Sequence, residues 1–115
     1  MEELIQKVIQ WANDRNIIQG SSATKQLEKT AAEFTELAIA VGKDEAISTR
    51  ATASANYVSE VSAELADGIG DVLVTLIIVA EQLGLDIHDC LEGAYNEIKD
   101  RKGKMINGLF IKETQ

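Results

Sequence analysis

A chain of 115 residues, 45% of them apolar and none proline, is long enough for one domain and suits long uninterrupted helices. Its formal net charge of -8 argues against a nucleic-acid polymer or an anionic membrane as partner, and it admits a cation-dependent site. The single Cys90 excludes an internal disulfide framework.

The opening "MEELIQKVIQW" is acidic and amphipathic, with no basic region ahead of an apolar stretch, so it does not read as a secretory signal. The expected location is the cytoplasm. Leu4, Ile5, Val8, Ile9, Trp11 and Ala12 recur at helical spacing and predict a first helix that fades near "NDRN". "GSSAT" (20–24) offers a turn and a cap for a second helix. That helix has Leu27, Ala31, Phe34, Ala38 and Val41 on one side and Lys29, Glu33, Glu36 and Ala40 on another, with Gly42 as its stop. "KDEAISTRATAS" (43–54) lacks a clear period and reads as a connection that has room for some helix.

A third helix is predicted from about Ser54 to Leu83 through Val58, Val61, Leu65, Ile69, Val72, Leu76 and Ala80, ended by Gly84. Asp86 caps a fourth helix, whose inward side is expected to be Ile87, Cys90, Leu91, Ala94 and Ile98. "MINGLFIKETQ" carries an Asn-Gly turn and reads as an ordered extension rather than a helix. The fold expected is all-α, a four-helix bundle in one domain with its core at about 3–104 and a C-terminal extension at 105–115. "VLVTLIIVA" (72–80) is too short to cross a bilayer, yet it is apolar all round and needs neighbours on every side. Another copy of the chain is the expected cover.

Carboxylates cluster beside these apolar runs. At about 100° per residue, Glu60, Glu64, Asp67 and Asp71 fall within about 60° of one another on the third helix. Glu33 and Glu36 are neighbours on the second. Asp71 precedes nine residues of which seven are large and aliphatic, which predicts it as the most buried of the set. Converging carboxylates repel unless a counter-charge joins them, and oxygen-only ligands select Mg²⁺, or Mn²⁺ as the alternative. Zinc would want clustered Cys and His, whereas His88 reads as a surface or cap residue and Cys90 as a core residue. A di-iron bundle would want Glu-x-x-His pairs, and the sequence has none.

The stretches "KQLEKTAAEFTELAIAVGK" and "ELADGIGDVLVTLIIVAEQLGLDIHDCLEGAYNEIKDRKGK" resemble the MazG-type nucleotide pyrophosphohydrolases, specifically the short MazG-like proteins of phages and bacteria. The likeness runs from about Glu3 to Lys104. The family pattern is Glu-Glu-x-x-Glu on one helix and Glu-x-x-Asp on the next. Here Ala32 replaces the leading Glu, leaving Glu33 and Glu36. Asp71 matches the family Asp, but Gly68 stands three residues before it, so Asp67 or Glu64 is the substitute for the missing Glu.

The resemblance implies homodimers or homotetramers, in the host cytoplasm if phage-encoded, that cleave a nucleoside triphosphate to the monophosphate and pyrophosphate with Mg²⁺. It implies Glu33, Glu36, Asp67 and Asp71 as metal ligands, with Glu33 or Glu36 as the base that activates water. Asn96 and Lys99 match nucleotide-contacting positions, and Lys29, one turn before Glu33, is a further phosphate-binding candidate. Two other readings stand beside this one: a non-catalytic helical nucleotide-binding or interaction module, and a relative acting on phosphoribosyl-ATP or on dUTP alone.

Overall fold

The structure, a computed structural model, describes residues 1–48 and 53–113. Its described elements are α1 (Glu2–Asp14), α2 (Ile17–Gly20), α3 (Ala23–Ser48), α4 (Ala55–Gln82), α5 (Ile87–Ile98) and the strands β1 (Gly103–Ile106) and β2 (Leu109–Lys112). The chain is therefore mostly helical, as expected, and the ordered extension expected at its C-terminus is a two-stranded hairpin. Asn107 and Gly108 both take positive φ, 50° and 81°, the backbone of a tight hairpin turn. They join β1 and β2 in antiparallel register, Ile106 opposite Leu109 and Met105 opposite Phe110.

Local chemistry sets several helix ends. The Ser54 hydroxyl accepts from the Tyr57 N–H at 3.1 Å to open α4. Gly84, at φ 71°, turns the chain after α4. The Asp86 carboxylate then accepts from the N–H groups of His88 and Asp89 to open α5. At Gly42 the expectation fails: α3 runs on to Ser48. A glycine in a helix interior costs only about 1 kcal/mol relative to alanine, and past it Lys43 pairs with Glu64 of α4. Of the connection expected at 43–54, residues 43–48 are helical and 49–52 lie outside the described residues.

The frame of the molecule is the pairing of α3 with α4. The Thr30 hydroxyl donates to that of Thr75 at 2.8 Å, Leu37 lies against Gly68, and the Lys43 ammonium meets Glu64 at 3.0 Å. Partners descend along α4 as positions rise along α3, so the two helices are antiparallel. The face of α3 turned to α4 thus carries Thr30, Glu33, Leu37 and Ala40, and the Leu27–Phe34–Val41 ridge lies on another side. That ridge is exposed, Phe34 at 62%.

Packing of α1 and α2 on α4 covers the second half of the apolar run, where Ile77, Ile78, Val79 and Ala80 are buried with Ala12. The Gln82 amide donates to the Ile18 carbonyl at 3.2 Å and pins α2 there. Leu73 and Ile69, further up α4, stay exposed. On α5 the expected inward residues Cys90, Leu91 and Ile98 are also exposed, because this helix packs only slightly on α4. The radius of gyration is 17.8 Å, where a compact domain of this length has about 13 Å. No helix among the described residues is long and apolar enough to cross a membrane.

Candidate functional site

Antiparallel pairing brings the two acidic helices together at mid-length. Glu33, one turn after Thr30, is buried, only 8% exposed. Its carboxylate takes a 2.9 Å ion pair from Lys29, one turn back on the same helix. The Lys29 hydrogen bond holds the Glu33 carboxyl below its ordinary value. Burial works the other way, and the Lys29 charge together with hydrogen-bonding contact from Glu36 and Asp71 adds to the lowering. Glu33 is thus the middle of a three-carboxylate group spanning α3 and α4. Lys29 is correspondingly raised, first by the Glu33 hydrogen bond and charge and then, against some desolvation, by the charges of Glu36 and Asp71.

A cleft of about 330 Å³ opens beside this group, lined by Glu36, Ile39, Lys43, Glu64, Asp67, Gly68 and Asp71. Three of the four predicted metal ligands, Glu36, Asp67 and Asp71, line this cleft, and Glu33, one turn before Leu37 on α3, is buried and is not part of its lining. Their burial order is not the expected one. Asp71 is exposed and Glu33 takes the buried place. The α4 line facing α3 runs through Val61, Gly68 and Thr75, which puts Asp71 on its flank.

Gly68 is not an emptied ligand position. A Cβ there would lie 3.1 Å from Leu37 Cδ1 and 3.5 Å from Leu37 Cα, so the residue marks the closest approach of α3 and α4. Glu64, the other candidate for the missing Glu, is bound to Lys43 from across the cleft. Lys43 went unnoticed in the sequence because it falls past Gly42; two turns after Glu36, it is on the same side of α3. Asn96 and Lys99 are exposed on the far end of α5 and do not line the cleft. Lys29 reaches the site, but as the ion-pair partner of Glu33.

The donor set is of carboxylate oxygens alone, the chemistry a hard divalent cation takes, but no three of Glu33, Glu36, Asp67 and Asp71 bring their oxygens within 4.8 Å of one another. In this arrangement Lys29 is the resident counter-charge. Among the described residues, ligand atoms converge within 4.8 Å of one another only at Asp86, His88 and Asp89. All three lie at the start of α5, and Asp86 is already used by the helix cap. The positive end of a helix dipole disfavours a cation there.

A titration checks the Lys29 assignment. In Lys29→Met, Glu33 loses the hydrogen bond and charge that lower its pKa while burial still raises it, so its carboxyl should titrate at higher pH by ¹³C NMR. A lowered carboxyl stabilises the fold above its ordinary value of 4.5, and that contribution fades as pH falls through the folded pKa. The raised Lys29 contributes below 10.5 and fades as pH rises through its folded value. The pair is therefore intact across neutral pH, and the variant's acid unfolding should begin at higher pH. An unmoved Glu33 titration would remove Lys29 from the site.

No protein-family model and no solved structure matches the chain. The chain is similar to an uncharacterized 18.2 kDa protein in the rep-hol intergenic region of Haemophilus phage HP1 (strain HP1c1), 31% identical over 86 residues. That alignment covers 75% of this chain and 43% of the phage protein, so the chain spans less than half of its relative's length.

Proposed function

We propose that the chain is a Mg²⁺-dependent nucleoside triphosphate pyrophosphohydrolase, phage-encoded, that works as a homodimer or homotetramer built on a MazG-type helical bundle. The observation that carries the reading is the Glu33, Glu36 and Asp71 group, drawn from two antiparallel helices and opening on a cleft that also holds Asp67. The resemblance of both acidic motifs to MazG-like proteins supports the activity, and the likeness to an uncharacterized phage protein bears on the origin alone.

Glu33, Glu36, Asp67 and Asp71 would hold the cation. Bound there, Mg²⁺ would neutralise the triphosphate and acidify a nearby water. Glu33, anionic and buried, is suited to holding charge in place. Glu36, on the cleft wall, is suited to accept the proton from the attacking water. The water oxygen bonds to the α-phosphorus, and the bond from that phosphorus to the α–β bridging oxygen breaks. Its electron pair leaves with pyrophosphate, and the nucleoside monophosphate stays. Lys43, released from Glu64, can reach phosphate oxygens at the cleft mouth.

Self-association has its own support. The chain exposes 8723 Å², where a folded monomer of this mass exposes about 6,200 Å². The excess of about 2,500 Å² per copy is of the size that obligate homodimers bury. Much of it is apolar, including the Leu27–Phe34–Val41 ridge.

A non-catalytic module keeps one specific point in its favour: Lys29 and Lys43 already neutralise Glu33 and Glu64. Pyrophosphate release from a panel of ribo- and deoxyribonucleoside triphosphates, dUTP and phosphoribosyl-ATP with Mg²⁺ separates the readings. The expected result is pyrophosphate and monophosphate from at least one substrate, abolished by chelator. Orthophosphate as product would overturn attack at the α-phosphorus, and a silent panel would favour the module.

A further inference from the structure

The C-terminal hairpin has no structural reason to stand where it does in a single chain. All eight strand residues are exposed, Leu109 at 67%, and neither strand packs on a helix as the two pack on each other. A lone two-stranded hairpin is at best marginally stable in water. This one is apolar on both faces. Ile106, Leu109 and Ile111 share one side, Met105 and Phe110 the other, with the Phe110 ring laid over Gly103. Both sides need cover.

Charge identifies the cover. Residues 99–113 carry five Lys or Arg (Lys99, Arg101, Lys102, Lys104, Lys112) against Asp100 and Glu113, a net +3. The preceding 98 residues carry six basic against seventeen acidic residues, a net -11, which together make the chain's -8. A basic, apolar arm therefore projects from an acidic body that itself leaves apolar helix surface bare. Complementary potentials of this kind steer association and fix its register. The chain's own acidic surface is at hand at the same concentration as the arm, and each copy has surface to spare on the scale of a stable dimer.

We propose that the hairpin at 103–112 is an arm that clasps a second copy of this chain, its apolar faces seated on the second copy's helices and Lys102, Lys104 and Lys112 set against that copy's acidic surface. The inference rests on the self-association proposed above and does not depend on the chemistry of the carboxylate cleft.

The test uses the full chain, a chain ending at Lys102, and a full-length Lys104→Glu/Lys112→Glu variant. Light scattering after size exclusion would be run across micromolar concentrations, with circular dichroism to confirm that helix content is kept. Both variants should self-associate at least tenfold more weakly than the full chain, and the double charge reversal should lose the salt sensitivity of association. A photoreactive phenylalanine analogue at position 109 should yield a covalent dimer on illumination. A full chain that is monomeric throughout would overturn the arm and the proposed self-association together. Association unchanged in both variants, or a position-109 crosslink found only within one chain, would overturn the arm alone.

Discussion

Glu33→Gln should lower pyrophosphate release about a hundredfold or more and raise the Mg²⁺ concentration needed for half-maximal rate, while leaving helix content intact. Glu33 is the one carboxylate of the set that is buried, and Glu36 and Asp71 are near enough to act on its titration. Removing its charge takes away a ligand and the group that positions the other two. Losses from altering groups that merely orient metal ligands reach 10–100-fold, so a ligand at the centre should cost at least as much. The change also strands Lys29, so stability must be read separately. Lys29→Met/Glu33→Gln restores neutrality at that spot and should recover melting temperature without recovering turnover. Asp71→Asn should be nearly as severe, and Glu64→Gln mild, because Glu64 is engaged with Lys43. Wild-type turnover in Glu33→Gln, with chelator still inhibiting, would move the metal away from the α3–α4 cleft.

The carboxylate group was legible in the sequence because helical spacing alone places Glu33 beside Glu36 and Asp67 beside Asp71. The caps at Ser54 and Asp86, the turn at Gly84 and the Asn107–Gly108 hairpin turn were legible for the same reason: each is short-range chemistry. What failed was anything set by the approach of two helices. Periodicity shows two sides of α3 without saying which meets α4, and α4 takes the narrower Thr30–Leu37–Ala40 line. A stripe of small and polar residues allows close approach, and the large residues are left for other surfaces. A helix with two partners shows two stripes, and a sequence does not label which is which. The same difficulty misplaced Asp71. Its apolar successors are buried by α1 and α2 two turns further on, not beside Asp71 itself. The strands at 103–112 lack the alternation that marks a half-buried strand, because both faces are apolar.

Gly68→Glu puts the family's missing glutamate back at the place where the motif would have it, and the expected outcome is loss rather than gain. The Cβ would point at the Leu37 backbone, 3.5 Å from its Cα, with Leu37 Cδ1 at 3.1 Å and Leu37 Cβ at 3.3 Å. An alanine is near the limit of that space: the leucine tip can yield, and replacing glycine within the helix returns about 1 kcal/mol. Gly68→Ala should therefore stay close to wild type in melting temperature. A glutamate cannot follow the same path. Its carboxylate would be driven between α3 and α4 without a counter-ion, since Lys29 is held by Glu33 and Lys43 by Glu64. Leaving a buried charge uncompensated costs about 3–5 kcal/mol, which corresponds to a fall of at least about 10 °C in melting temperature for a domain of this size. Forcing the helices apart would also widen the Glu33–Asp71 approach, so turnover should fall with stability and excess Mg²⁺ should not rescue it. A Gly68→Glu protein that melts as high as wild type and hydrolyses faster would mean that position 68 faces the metal rather than Leu37.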